Sequence, residues 1–82
     1  MLTVQLMVDP LSPTPLYMQV ADLLAARIES GELRAGKPIP SESQIRGEYG
    51  VARGTARAAV AELRNRGLVV TIHARGTFVV ER

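Results

Sequence analysis

The chain has 82 residues, a length typical of one small domain, and 46% of them are hydrophobic. A domain of this size buries only about two-thirds of the surface that its unfolded chain exposes, so its margin of stability is narrow. The sequence contains no cysteine, which excludes a disulfide framework and a thiolate metal site.

The formal net charge is only +2, but the charges are distributed unevenly along the chain. Residues 50–76 contain five arginines and one glutamate, whereas the rest of the chain contains five basic and seven acidic residues. A basic field on one side of a domain favours a polyanionic partner through the release of counterions. The alternative is a basic surface that only keeps the protein in solution.

Residues 1–14 are predicted to form an N-terminal arm that precedes a folded domain of residues 15–82. Alternating apolar residues in this arm predict a short strand at about residues 3–8. The arm lacks the basic start of a signal peptide, and its apolar run is far shorter than the roughly 20 residues that span a bilayer. We therefore expect a cytoplasmic protein with no membrane partner.

The first helix is predicted over residues 15–30, with Thr14 as its N-cap and Pro15 in its first turn. Gly31 follows the helix as a C-terminal cap. Apolar residues recur at helical spacing along this segment. They are Leu16, Val20, Leu23, Leu24 and Ile28.

The second helix is predicted over about residues 41–49, because Ser41 and Gln44 have the spacing of a capping box. We expect Ile45 and Tyr49 to point inward and Gly50 to end the helix.

The third helix is predicted over about residues 53–66 and is closed by Gly67. A helical wheel places its apolar residues on one stripe and Arg53, Arg57 and Arg64 together on an adjoining face. The apolar stripe consists of Ala56, Ala59, Val60 and Leu63.

The last part of the chain is predicted to be a β-hairpin, because the β-branched runs 68–72 and 77–80 flank a short turn that contains glycine. His73 and Arg75 lie in this turn, which adds a second cationic element directly after the basic helix. The chain is thus predicted to be mainly α with a small β-hairpin, in the order helix, helix, tight turn, helix, hairpin.

Two helices joined by a tight turn at Gly50 and Val51, with arginines at the start of the second, have the helix-turn-helix arrangement. The planar guanidinium of arginine binds a guanine edge or a phosphate in a bidentate manner. The free N–H groups at a helix N-terminus also attract phosphate. The alternative is that these arginines only solvate the helix, and helix-turn-helix geometry alone is a weak signal. The cationic hairpin turn that follows favours a binding surface.

A series of short motifs follows a specific order and spacing over about residues 14–80. The series consists of Pro15-Leu16-Tyr17, Gln19-Val20, Ile28, Gly31, Leu33, Gly36, Ile39-Pro40-Ser41-Glu42, Gly50-Val51, Arg53, Thr55, Arg57, Leu63, Gly67-Leu68-Val69 and Arg75-Gly76-Thr77-Phe78-Val79. In this combination the chain resembles the N-terminal winged helix-turn-helix domain of GntR-type bacterial transcription regulators. The resemblance implies three helices plus a two-stranded wing, and sequence-specific binding to double-stranded DNA with repression as the expected outcome. It implies a homodimer on a short inverted-repeat operator and no cofactor.

The resemblance also implies which residues contact DNA. At the start of the third helix, Arg57 would contact base edges or the adjacent phosphate, and Thr55 would contact phosphate. The wing tip would enter the minor groove, whose negative potential suits Arg75. The full set of expected DNA-binding residues is Ser43, Arg53, Gly54, Thr55, Arg57, His73, Arg75 and Gly76.

The central expectation is that Arg53, Arg57 and Arg75 form one contiguous surface. We expect these arginines to be free of ion pairs with Glu42 or Glu48. Glu42 matches an acidic residue of the family and is expected to have a structural role beside the N-terminus of the second helix.

The chain departs from the family pattern at three positions and in length. Ser43 replaces an arginine that contacts the DNA backbone, Ala52 replaces a serine or threonine that caps the third helix, and Ala74 replaces the first glycine of the wing. GntR-type regulators normally continue into an effector-binding or dimerisation domain, whereas this sequence ends at Arg82. We therefore expect either an excised domain or a natural stand-alone form that lacks the effector-binding domain. On its own such a domain is expected to bind DNA weakly and to be monomeric in solution, because the usual dimer interface lies in the missing domain.

Two other classes of function are considered from the sequence. An enzyme is not expected, because the single histidine, His73, has no acidic neighbour in sequence and no nucleophile–base pair is visible. For the same reason His73 is not expected to bind a metal. The stronger alternative is a winged-helix module that binds a protein or structured RNA, because a fold does not determine function. The basic face of the third helix favours duplex DNA over this alternative.

Overall fold

The structure is a computed structural model that describes residues 8–81. Three helices are followed by two strands: α1 is Leu16–Glu29, α2 is Glu42–Tyr49, α3 is Arg53–Asn65, β1 is Val69–Ile72 and β2 is Gly76–Val79. This order confirms the predicted mainly α fold with a small hairpin. The predicted strand at about residues 3–8 lies outside the described residues except for Val8, which packs against the core. None of the helices in the described part of the chain is long and apolar enough to span a bilayer.

The start of α1 differs from the prediction. The N-cap is Pro15, with an extended ψ of 146° and no side-chain cap, so the prediction that Thr14 caps the helix is wrong. The carbonyl of Pro15 instead accepts the first helical hydrogen bonds, from the amides of Met18 and Gln19. The Gln19 side chain holds the segment that precedes the helix, because its Nε2 donates to the carbonyl of Thr14 at 2.7 Å.

The caps of α2 agree with the prediction. The Ser41 hydroxyl accepts from the Gln44 amide at 3.1 Å, and the Gln44 side chain accepts from the Ser41 amide at 2.8 Å. This capping box satisfies two amides that the first turn leaves without helical partners. Gly50 ends α2 in the left-handed conformation, with φ of 65°, and thereby turns the chain towards α3.

The two strands form an antiparallel hairpin, called the wing below, in which Val69 pairs with Val79 and Ile72 pairs with Gly76. A bridge between Pro38 and Phe78 attaches the loop before α2 to the outer edge of β2. Ala74, in the turn of the wing, has a φ of 64°, a region that L-residues with a side chain rarely adopt.

The core lies where α1 crosses α3 and where the wing folds back against them. Its four largest fully buried side chains are Leu24 from α1, Ile45 from α2, Leu63 from α3 and Val20 from α1. The predicted buried stripe of α3 is confirmed, since Ala56, Ala59, Val60 and Leu63 are all buried. Burial of this stripe leaves the adjoining face of α3, which carries Arg53, Arg57 and Arg64, exposed to solvent.

Two arginines outside the core link the helices. Arg66 bonds to Asp22 of α1 at 2.8 Å and to Glu62 at 2.9 Å. Arg27 of α1 bonds to Glu48 and to the hydroxyl of Tyr49, both on α2 and both at 3.1 Å. These contacts tie α2 and the C-terminal end of α3 to α1 at the edge of the core.

Candidate nucleic-acid interface

A groove of about 520 Å³ lies between α3, the wing and the N-terminus of α2. Its cationic and hydroxyl-bearing lining residues come from all three elements. They are Ser41, Arg57, Arg64, Thr71, Arg75 and Thr77. We call this the wing groove. Guanidinium groups from the helix and from the wing therefore face the same open space.

A second groove of about 450 Å³ lies on the other side of the α2 N-terminus and is lined by Ser41, Glu42, Ser43, Arg46 and Arg53. We call this the α2 groove. Ser41 and Glu42 line both grooves, so the two adjoin. Together they make one basic surface that runs from the start of α3 to the turn of the wing.

The structure brings together most of the residues that were predicted to contact DNA. Arg57, Arg75 and Gly76 line the wing groove, whereas Ser43 and Arg53 line the α2 groove. The other three predicted residues lie next to these grooves and line neither: Gly54 and His73 are exposed and Thr55 is half-buried.

The expectation that Arg57 avoids Glu42 is wrong. The Arg57 Nε donates to Glu42 Oε2 at 3.3 Å, because the second turn of α3 begins beside the N-terminus of α2. The pair is open to solvent, with the Arg57 side chain 61% exposed and the Glu42 side chain 39% exposed. A pair of this kind contributes at most about 1 kcal/mol, so a phosphate or a guanine can compete for the guanidinium.

Within residues 8–81, the side chains of Arg53 and Arg75 make no hydrogen bond or ion pair with another part of the chain. Both side chains are exposed. Their guanidinium groups keep all of their donors available for an external anion.

The arginines at the C-terminal end of α3, Arg64 and Arg66, make contacts within the domain, and so does Arg27 of α1. Arg64 Nη1 donates to the Thr71 hydroxyl at 2.8 Å, which joins α3 to the wing. Hydrogen bonds with Glu62 and Asp22 tie the Arg66 guanidinium to α3 and α1 and raise its pKa. Partial burial lowers the pKa of Arg27, but hydrogen bonds with Tyr49, Glu48 and Glu32 outweigh this effect and raise it. Arg66 and Arg27 therefore link the helices.

Arg46 was not among the residues predicted to contact DNA. It lies one turn after Ser43 on α2, is exposed, and lines the α2 groove beside Arg53. Residues three apart share a helix face, so Arg46 supplies a cation close to where Ser43 replaces the arginine of the family pattern. This spacing was the signal in the sequence that could have identified it.

Comparisons with known proteins identify the family and the fold. The family model described as "Bacterial regulatory proteins, gntR family" matches residues 16–79. The chain belongs to the gntR family. The structure of AraR(DBD) in complex with operator ORX1 superposes with a TM-score of 0.81 and 32% identity, over 90% of this chain and 94% of that one. The winged helix-turn-helix fold and the family resemblance are thereby confirmed.

Curated gntR-family relatives are regulators by name. The HTH-type transcriptional repressor NagR of Bacillus subtilis is 41% identical over 68 residues, which are 83% of this chain and 28% of NagR. The histidine utilization repressor of Klebsiella aerogenes is 37% identical over 70 residues, which are 85% of this chain and 29% of that repressor. The chain therefore spans less than a third of the length of these relatives.

Proposed function

We propose that this chain is the DNA-binding domain of a bacterial transcription regulator and that it binds duplex DNA through the two adjoining grooves. The observation that carries the proposal is the single basic surface formed by Arg46, Arg53, Arg57 and Arg75. Among the residues that line the two grooves, Glu42 is the one acidic residue. The role is one of binding in the cytoplasm, where bacterial DNA lies, and involves no catalysis and no cofactor.

The mode of binding follows from the shape of the surface. The first two turns of α3 would enter the major groove, where Arg57 reads a guanine edge or the phosphate beside it. The N-terminal N–H groups of α3 and the half-buried Thr55 would bind phosphate. The exposed wing turn, with Arg75, would enter the adjacent minor groove.

We further propose that two copies bind an inverted repeat and that binding represses transcription. An inverted repeat presents the same major-groove edges to each copy, so one α3 occupies each half-site. Repression is supported by the names of the relatives, since NagR and the histidine utilization repressor are both named as repressors.

The test is selection of bound sequences from a pool of random duplexes, followed by affinity measurements on the selected duplex. We expect an inverted repeat to be enriched. Arg57→Ala should weaken binding by about 1–3 kcal/mol and relax the preference at one base of each half-site. The matched control is Arg34→Ala, which removes the same charge from an exposed loop position that lines neither groove.

The proposed function predicts that the affinity for DNA depends strongly on salt concentration. Affinity for a random duplex should fall steeply between 50 and 200 mM salt, since each neutralised phosphate adds about 0.9 to the logarithmic slope. If no binding is detected even at low salt, the surface serves a protein or RNA partner and the proposal fails. If Arg57→Ala and Arg34→Ala bind the selected duplex equally well, the base-reading role of Arg57 is wrong.

A further inference from the structure

The wing groove separates the two elements that would enter neighbouring grooves of DNA. When α3 occupies a major groove and the wing turn occupies the adjacent minor groove, one sugar-phosphate strand lies between them. That strand must run through the space between α3 and the hairpin. The wing groove, with its volume of about 520 Å³, is that space.

Three polar side chains meet in this groove at the junction of α3 and the wing. Arg64 Nη1 donates to the Thr71 hydroxyl at 2.8 Å, and the Thr71 and Thr77 hydroxyl oxygens are 2.9 Å apart. Thr71 and Thr77 are direct partners on neighbouring strands. None of the three belongs to the buried core.

Counting donors shows that this cluster has unused capacity for an anion. A guanidinium has five N–H donors, and Arg64 uses one of them on Thr71. The two threonines have two hydroxyl hydrogens, and only one of them is needed for the bond between the oxygens. Whichever threonine donates in that bond, the other keeps a hydrogen that can point into the groove. The cluster therefore offers charged and neutral donors and lacks an anionic acceptor of its own.

We propose that Arg64, Thr71 and Thr77 bind one phosphate of the DNA strand that passes between α3 and the wing. Arg64 lies seven residues after Arg57, on the same face of α3 and about 10 Å further along its axis. The two arginines thus contact different points on the DNA. By binding the DNA strand that runs beside the wing, Arg64 fixes the position of the wing along the DNA. This inference rests on the proposed function.

The experiment measures the affinity of the 82-residue chain for a random duplex at several salt concentrations from 50 to 200 mM. Arg64→Ala should weaken binding roughly tenfold at low salt and reduce the logarithmic salt slope by about 0.9, the contribution of one phosphate. Thr71→Val removes a hydroxyl without changing the charge, so it should weaken binding about threefold and leave the slope unchanged. Arg34→Ala is the charge-matched control and should retain the wild-type slope.

Arg64→Lys distinguishes two roles of Arg64, a contact with a DNA phosphate and a purely structural contact with the wing. Lysine keeps the charge but lacks the planar fork, so we expect the wild-type slope with part of the affinity lost. If Arg64→Ala weakens binding without reducing the slope, Arg64 only orients the wing and the phosphate site is wrong. If Arg64→Ala matches Arg34→Ala in both readouts, the site is also wrong.

Failure of this inference can be told apart from failure of the proposed function. If the wild-type chain binds the duplex with a steep salt slope and Arg57→Ala weakens it, the proposed function stands whatever Arg64 does. If the wild-type chain does not bind the duplex at all, both the proposed function and the phosphate site are wrong.

Discussion

Glu42→Gln tests whether the carboxylate in the middle of the basic surface restrains Arg57. Glu42 is the first residue of α2 and lies 3.3 Å from Arg57 Nε, and it lines both grooves. The substitution keeps the shape of the side chain and removes one negative charge. We expect it to make the domain less stable and its binding to DNA tighter.

The size of each effect follows from the geometry. A carboxylate in the first turn stabilises a helix by about 0.3–1 kcal/mol through the helix dipole. Exposed ion pairs contribute about 0.2–1 kcal/mol to stability. The pair of Glu42 and Arg57 should fall in the lower half of this range, because its side chains are 39% and 61% exposed and solvent screens their charges. Glu42→Gln should therefore lower the free energy of unfolding by about 0.5–1.5 kcal/mol. Release of Arg57 should raise the affinity for a random duplex about two- to fivefold, which corresponds to about 0.4–1 kcal/mol.

The assay pairs urea denaturation with titration of a fluorescent random duplex at low salt. The control is Glu48→Gln, which makes the same change on the same helix but at the residue that pairs with Arg27, outside both grooves. It should leave DNA affinity close to wild type. If Glu42→Gln binds the duplex no more tightly than Glu48→Gln, then Glu42 does not restrain Arg57 and the reasoning is refuted.

Three further predictions concern stability and are checked by the denaturation midpoint. Ala52, the N-cap of α3, has φ of −71° and ψ of 161° and provides no side-chain cap, so Ala52→Ser should stabilise the domain by about 1 kcal/mol; no gain would mean that the serine does not reach the free amides. Ala74 has a φ of 64°, so Ala74→Gly should relieve about 1–2 kcal/mol of backbone strain. Glycine also gives the unfolded chain more conformational freedom, which offsets part of this gain, so the net stabilisation should be about 0.5–1 kcal/mol. A loss of stability would contradict this. Leu63 is fully buried in α3, so Leu63→Ala should destabilise the domain by about 2–5 kcal/mol, and a loss below 1 kcal/mol would contradict the core described above.

Local features of the fold could be predicted from the sequence because short-range chemistry determines them. The Ser41–Gln44 capping box and the end of α2 at Gly50 were predicted from residue type and spacing alone, and both are present. The buried stripe of α3 followed from its helical period. At α1 the same approach failed by one residue, since both Thr14 and Pro15 are acceptable near a helix start.

Contacts between elements could not be predicted, because they depend on how the helices pack. The wheel placed Arg53, Arg57 and Arg64 on one face of the third helix without showing what lies opposite each. The packed structure puts Glu42 beside Arg57 and Thr71 beside Arg64, and leaves Arg53 without an intramolecular partner among residues 8–81. Residue spacing predicts which arginines share a face of the helix. Tertiary packing determines which of these arginines have no intramolecular partner and can bind DNA.

The most direct test of the DNA-binding surface is an NMR titration of the isotope-labelled chain with a short duplex. The account predicts that the largest amide shifts fall in three segments: residues 41–46, residues 53–57 and residues 73–77. Amides around Asp22 and Glu29, which are exposed on α1 outside both grooves, should change little. Shifts concentrated on α1, with the wing turn and the start of α3 unaffected, would contradict the account.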